Sequence, residues 1–227
     1  MMIKHKQQVN PSSSESGFTI IESLVALLVV AILLTAIAPV ILLSVATRVQ
    51  AKRIEQATQA TKTFIDGIRT GAISAPNDKI TIELATKDKP RKLSNAPGDY
   101  LIDTTNMLPP KQADKDKLYC FNKNGNIQTP TCTSDLFFIQ AKQITVNNNP
   151  KEGYRLGIRI YRKEAFDTSG DLIATSGGNK TTQATFIATL ANSKAPLIEI
   201  TTDISSNGTT FQSLCSRLGV ASGDNCN

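Results

Sequence analysis

The sequence has no tryptophan and a single histidine, His5, among 227 residues. It also has no glycine-rich phosphate-binding loop of either common form. Outside the extreme N-terminus, no histidine is therefore present to form a Ser-His or Cys-His catalytic pair. These absences predict a protein that is not an enzyme and that needs no cofactor.

Cysteine is scarce, and none of the four cysteines has the C-x-x-C spacing that is typical of zinc sites. Cys120 and Cys132 are 12 residues apart, and Cys215 and Cys226 are 11 apart. Four cysteines allow three pairings, of which two local bridges, 120–132 and 215–226, would each close a loop near a turn. Two local disulfides are the favoured prediction, and zinc is not predicted.

Two polar segments contain oxygen ligands that could suit calcium. In Asp114-Lys115-Asp116 a lysine separates the two acids, and the segment Asn122–Asn126 lacks the closing glutamate of a calcium loop. Both segments are predicted to be turns, so no metal site is expected. From residue 72 onward, 18 basic residues stand against 15 acidic ones, a balance of +3 that does not indicate a nucleic-acid-binding protein.

One long apolar run dominates the N-terminal region. Between Glu22 and Arg48 lie 25 consecutive residues without a charge, and about 20 apolar residues suffice to cross a bilayer as a helix. The alternative is a secretory signal peptide cleaved after Ala36-Ile37-Ala38, but signal-peptide cores span roughly 7–15 residues and this run is longer. A transmembrane helix is therefore the favoured prediction.

The segment Ser16-Gly17-Phe18-Thr19-Ile20-Ile21-Glu22-Ser23 stands at the front of this run, and Pro39 lies within it. The basic and polar leader, the Gly17-Phe18 pair and an acid four residues after Phe18 together resemble the prepilin signature of type IV pilins and type II secretion pseudopilins. The resemblance implies cleavage after Gly17, methylation of Phe18 and a role for Glu22 in pairing with the N-terminal amine of a neighbouring subunit. Pro39 matches a helix-loosening proline of that family and is expected to kink or break the helix.

The resemblance also implies how the chain is divided. Residues 1–17 would be the cleaved leader, 18–47 the transmembrane and assembly half of a long helix, 48–71 its head-packing half, and 72–227 a β-rich head. The implied partners are a prepilin peptidase and methyltransferase, other pilin subunits, an inner-membrane assembly platform and membrane lipid.

The membrane orientation follows from the leader. Arg48, Lys52 and Arg53 directly follow the apolar run, so the positive-inside rule alone would place the C-terminal part in the cytoplasm. The leader resemblance requires the opposite orientation, and four cysteines favour an oxidising location for the head. The expected location is the plasma membrane, with a cytoplasmic N-terminus and an extracytoplasmic head.

Residues 37–51 and 65–69 are similar to those of the hormogonium polysaccharide secretion pseudopilins of filamentous cyanobacteria. That similarity implies a minor pilin or pseudopilin that supports polysaccharide secretion and motility. The alternatives from other classes are an adhesive or DNA-binding minor pilin and a plain single-pass anchored surface domain.

Beyond the membrane segment, apolar residues recur every three or four positions up to Ile68, which predicts a helix over about 19–70. The head-facing stripe comprises Ile54, Ala57, Thr61, Phe64, Ile65 and Ile68. Strands are predicted at Lys79–Leu84, Leu118–Phe121, Leu136–Val146, Tyr154–Tyr161, Gln183–Leu190 and Leu197–Ile204. The expected fold is α+β and pilin-like, with an antiparallel sheet packed on the second half of the helix.

Two surface features are expected on this head. Alternation along Tyr154–Lys163 places Arg155, Arg159 and Tyr161 on one strand face, which is either a solvated surface or a contact for an anionic polysaccharide or single-stranded DNA. The glycine-rich stretch Leu172–Thr185 is expected to be a mobile surface loop.

Overall fold

The computed structural model describes residues 19–82, 106–128, 135–146, 150–167, 169–174, 181–183 and 192–218. The chain divides into two compact units, residues 1–45 and residues 46–227. The predicted processing residues Gly17 and Phe18 lie outside the described residues, as do Cys132 and Cys226.

A single long helix, α1, runs from Ile20 to Thr70, as the sequence predicts. At its start, the Glu22 backbone N–H donates to Thr19 Oγ1 (3.3 Å), which satisfies one of the free donors of the first turn. At its end, Gly71 adopts a φ of +75°, a conformation that glycine reaches without steric cost. Pro39 lies within α1, which continues on both sides of it, and the predicted kink stays a prediction.

The remaining elements form a mixed sheet and short helices. The strands are β1 (Lys79–Ile82), β2 (Tyr119–Asn122), β3 (Ile127–Gln128), β4 (Asp135–Val146), β5 (Tyr154–Arg162) and β6 (Ile198–Ile204). The α-helices that follow α1 are α2 (Glu164–Asp167) and α3 (Phe211–Leu218), and 3₁₀ turns span Gln112–Lys117 and Pro150–Glu152. The strand order is β3-β2-β4-β5-β6, and β1 pairs with β4.

One strand pairing differs from the predicted antiparallel sheet. Strand β1 pairs with β4 in parallel, with Ile80 opposite Ile144, whereas the other pairings are antiparallel. Apolar alternation determines which face of a strand is buried but not the direction of its neighbour, so this parallel pairing could not be read from the pattern. Of the predicted strand Gln183–Leu190, only Gln183 is described, and it is not in a strand.

The second half of α1 packs on one face of the sheet. Ala57, Ala60, Phe64 and Ile68 are buried in one cluster, and Ile54 and Ile65 pack against it half-buried. The sheet side of this cluster comprises Tyr119, Phe121, Phe137, Ile139, Tyr154, Leu156, Ile158, Ile160, Leu197 and Ile204. The predicted helical stripe is therefore confirmed as the head-facing surface of α1.

Hydrogen bonds fix the direction of α1 against β5. Near one end, Gln50 Nε2 donates to Gln183 Oε1 (3.2 Å), and the Gln183 N–H donates to the Pro196 carbonyl. The next residue, Leu197, donates to the Ile160 carbonyl near the end of β5. At the other end, Arg69 Nη2 donates to Thr202 Oγ1, and Thr202 pairs with Leu156 in the first half of β5. The head segment of α1 therefore runs along β5 in the opposite direction.

The other face of the sheet is also covered. One cluster joins Leu118, Cys120, Phe138, Tyr161, Ala165, Phe166 and Leu172, and another joins Ile80, Met107 and Ile144. Leu172, Ala174 and Gln183 are all buried, so the described ends of the predicted surface loop are packed into the head. That prediction was wrong for these ends because their apolar side chains and the Gln183 amide find partners there.

Candidate functional site

The first half of α1 presents large apolar side chains that are exposed in the single chain. Exposure among its large apolar residues ranges from 42% for Leu43 to 83% for Ile20. By length and composition the helix can cross a membrane, and none of its most apolar window is buried. Such a surface needs lipid or protein around it, because contiguous apolar patches of this extent are rare on monomeric soluble proteins.

Glu22 is the one acidic residue in the first turn of α1, and its side chain is exposed. Its backbone is tied to Thr19, and the neighbouring Ser23 hydroxyl donates to the Ile20 carbonyl (2.8 Å). A carboxylate beside the free N–H groups of a helix start is favourable, since these groups carry partial positive charge. Glu22 therefore lies at the start of an apolar helix with its carboxylate accessible to a partner.

The predicted polymer-binding face of β5 is not a surface. Arg159 and Tyr161 are both fully buried, and Arg155 is half-buried beside Asp203, with 3.7 Å between Arg155 Nη2 and Asp203 Oδ2. The pKa of the Tyr161 hydroxyl is raised, mainly because burial disfavours the tyrosinate. The prediction of a solvated or polymer-binding face was wrong, because it considered one strand without the residues that pack over it.

Arg159 is the centre of a buried polar network instead. Its Nε donates to Glu199 Oε2 (2.7 Å), directly across the β5–β6 pairing. Its Nη1 donates to the Met107 carbonyl and, at 3.4 Å, to Gln140 Oε1. Gln140 Nε2 in turn donates to the Leu108 carbonyl (2.7 Å). The network therefore joins β4, β5 and β6 to the segment that precedes the first 3₁₀ turn.

The two segments with possible calcium ligands form turns, as predicted. Asp114 pairs with Lys117 (2.9 Å) and accepts a hydrogen bond from the Lys111 N–H. The pKa of the Asp114 carboxyl is lowered, mainly by the hydrogen bond from Lys117 and further by the one from Lys111. Asn122 Oδ1 accepts from the backbone N–H groups of Asn124 and Asn126, each at 2.9 Å. Both carboxylate oxygens of Asp114 and the Asn122 Oδ1 are therefore engaged within the turns.

Cys120 is buried in β2, and Cys215 is half-buried in α3. Neither is a free thiol. The predicted partners, Cys132 and Cys226, lie outside the described residues, so the pairing 120–132 and 215–226 stays a prediction.

A cleft of about 440 Å³ opens beside β4 where the pairing with β2 ends and the pairing with β1 begins. Its walls include Asp78, Asp116, Lys117 and Tyr119, and the Tyr119 hydroxyl donates to the Ser74 carbonyl (2.9 Å). Within the described residues, no cluster of three or more His, Cys, Asp or Glu side chains could hold a metal. The mixed charges of the cleft do not single out a ligand.

The fold and the N-terminal segment together define a class, namely an α+β protein with a pilin-like layout, in which a long apolar helix leads into a β-sheet head. Residues 12–38 match the family model of the prokaryotic N-terminal methylation motif. This match supports a type IV pilin-like or pseudopilin subunit, from a family whose members are structural and not enzymatic. No curated protein and no solved structure gives a significant match to the chain.

Proposed function

We propose that this chain is a minor pilin or pseudopilin, a structural subunit of a filament that assembles at the plasma membrane. The observation that carries the proposal is the methylation motif over residues 12–38, which coincides with the start of a helix whose apolar residues are exposed. An exposed apolar helix can be held by lipid before assembly and by neighbouring helices afterwards.

The proposed processing site is the Gly17–Phe18 bond. Cutting there removes residues 1–17 and leaves Phe18 as a methylated N-terminus, two residues before α1 begins at Ile20. The peptidase and the assembly platform face the N-terminus on the cytoplasmic side, and the head lies outside the membrane. The absence of a free thiol at Cys120 and Cys215 supports an oxidising location for the head.

Glu22 is proposed to pair with the Phe18 amine of the neighbouring subunit. In the low-dielectric interior of a filament, an ammonium and a carboxylate are each costly alone and tolerable as a pair. The exposure of Glu22 in the single chain supports this role, since a partner from another subunit can reach it.

Glu22→Ala is expected to leave cleavage, insertion and folding unchanged and to lower incorporation into filaments by more than about tenfold. Removing the carboxylate makes insertion easier, but it leaves the neighbour's amine without a partner, at a cost of several kcal/mol. Filament shearing followed by immunoblotting measures incorporation. The matched control is Glu55→Ala, which removes an exposed acid from the head half of the same helix. Normal incorporation of Glu22→Ala would refute the pairing role.

We further propose that the filament serves polysaccharide secretion, on the similarity of residues 37–51 and 65–69 to the hormogonium pseudopilins. Deleting the protein should then reduce polysaccharide export and gliding motility, and expression of the full chain should restore both. An unchanged export rate in the deletion strain would contradict this system while leaving the pilin class intact. The adhesive alternative is less well supported, because Arg159 and Tyr161, two of the three residues expected to contact a polymer, are buried.

A further inference from the structure

Five basic side chains lie at the end of the head where the chain enters from the apolar segment. They are Arg48, Lys52 and Arg53 of α1, Arg162 at the end of β5, and Lys163 directly after it. None of the five has an ion-pair partner among the described residues. Sequence reasoning could find the first three, but the other two are more than 100 positions away.

The packing of α1 along β5 brings these two groups together. The bonds from Gln50 through Gln183 to Pro196, and from Leu197 to Ile160, place the last residues of β5 beside the first head turns of α1. Side chains alternate along a strand, so Arg162 projects to the same face as the α1-facing residues Ile158 and Ile160. Arg53 and Arg162 therefore lie on facing elements at one end of the head.

The two guanidinium groups interact unfavourably. Burial lowers the pKa of Arg162, and the positive charge of Arg53 lowers it further. The acids nearest to these cations in sequence are Glu55 on α1 and both Glu164 and Asp167 on α2, and Glu164 partly offsets the effect on Arg162. Five cations against these three acids leave a net charge of +2. A bound anion would relieve the repulsion between the arginines.

An anionic phospholipid is the anion that this position favours. The apolar stretch ends at Ala46. Arg48 is two residues past Ala46 and Arg53 is seven residues past it, about 10 Å along the helix. The headgroup layer adds roughly 5–8 Å on each side of the hydrocarbon core, and arginine and lysine side chains reach several ångströms from their backbone. We propose that Arg53 and Arg162 jointly bind the phosphate of an anionic phospholipid while the chain is anchored in the membrane.

This inference goes beyond the filament function and requires only that the apolar half of α1 lies in a bilayer. It assigns a membrane contact to the head as well as to the helix. It also gives the positive charge that follows the apolar run a partner, namely the phosphate of an anionic headgroup.

The test is native mass spectrometry of the full chain in detergent, titrated with equal amounts of phosphatidylglycerol and phosphatidylcholine. The wild-type chain is expected to retain phosphatidylglycerol preferentially. Arg53→Gln/Arg162→Gln should reduce this preference by about fivefold for each charge removed. The matched control, Lys62→Gln/Lys79→Gln, removes two exposed charges elsewhere in the head and should keep the wild-type preference.

Absence of a preference in the wild-type chain, or an equal loss in the control, would overturn the proposal. Displacement of the lipid by inorganic phosphate, beyond that by chloride at equal ionic strength, would also overturn it, because the site would then take free phosphate. If the double variant does not fold, the single variant Arg53→Gln is measured instead. The Arg53 side chain is only half-buried, so this variant is expected to fold. A wild-type preference in that single variant would contradict the joint role.

Discussion

Gly17→Val is expected to abolish cleavage of the chain while leaving membrane insertion intact. The side chain added at this position crowds the bond that the peptidase must reach, whereas the apolar run that drives insertion is unchanged. In a host with an active prepilin peptidase, intact-mass measurement of the membrane-extracted wild-type chain should give residues 18–227 plus one methyl group. The Gly17→Val chain should retain its leader.

The control for this experiment is Ser13→Ala, which changes the leader without touching the Gly17–Phe18 pair. It should be cleaved as efficiently as the wild type. A wild-type chain that still begins at Met1 or Met2 in such a host would refute the pilin class, and the plain anchored surface domain would replace it.

Arg159→Met is expected to destabilise the head by about 3–5 kcal/mol, the usual cost of leaving a buried charge without its partner. Glu199 would keep its carboxylate in a site where only 4% of the side chain is exposed, and the Met107 carbonyl would lose its donor. Thermal unfolding of the full chain in detergent, followed by tyrosine fluorescence, should show Tm lowered by more than about 10 °C.

The matched control lies in the same two strands. Arg155 and Asp203 also pair across β5 and β6, but they are 3.7 Å apart and more exposed than Arg159 and Glu199, so Arg155→Met should cost less than Arg159→Met. The double variant Arg159→Met/Glu199→Leu removes both buried charges and should recover part of the lost stability. Equal effects of Arg159→Met and Arg155→Met would contradict the buried network.

The helix and most strands could be predicted from sequence because their signals are local. The stripe from Ile54 to Ile68 and the alternation along β5 each follow from the period of one element. The parallel pairing of β1 with β4 could not be predicted, since it depends on the path of the intervening chain. The observed β3 has only two residues, too few for a periodic signal.

The candidate functional residues also differ in how far they could be predicted from the sequence. The motif around Gly17, Phe18 and Glu22 is contiguous, so it could be predicted from the sequence, and the roles of these three residues stay predictions. The surroundings of Arg159 were missed because its partners, Glu199 and the Met107 carbonyl, are 40 and 52 positions away. An arginine in an alternating strand usually indicates a solvated face. The charge of Arg159 is instead neutralised by Glu199 on the neighbouring strand β6, which the sequence of β5 alone cannot show.

The antiparallel course of α1 along β5 determines how the head responds to mechanical load. A pull on the chain at Ala46 enters the head along α1, which runs opposite in direction to β5. The load then acts in shear on the whole α1–sheet contact from Ile54 to Ile68, so that many interactions must yield together. A pull across the strands would instead separate them one hydrogen bond at a time. The head is therefore built to resist force that arrives through its own helix.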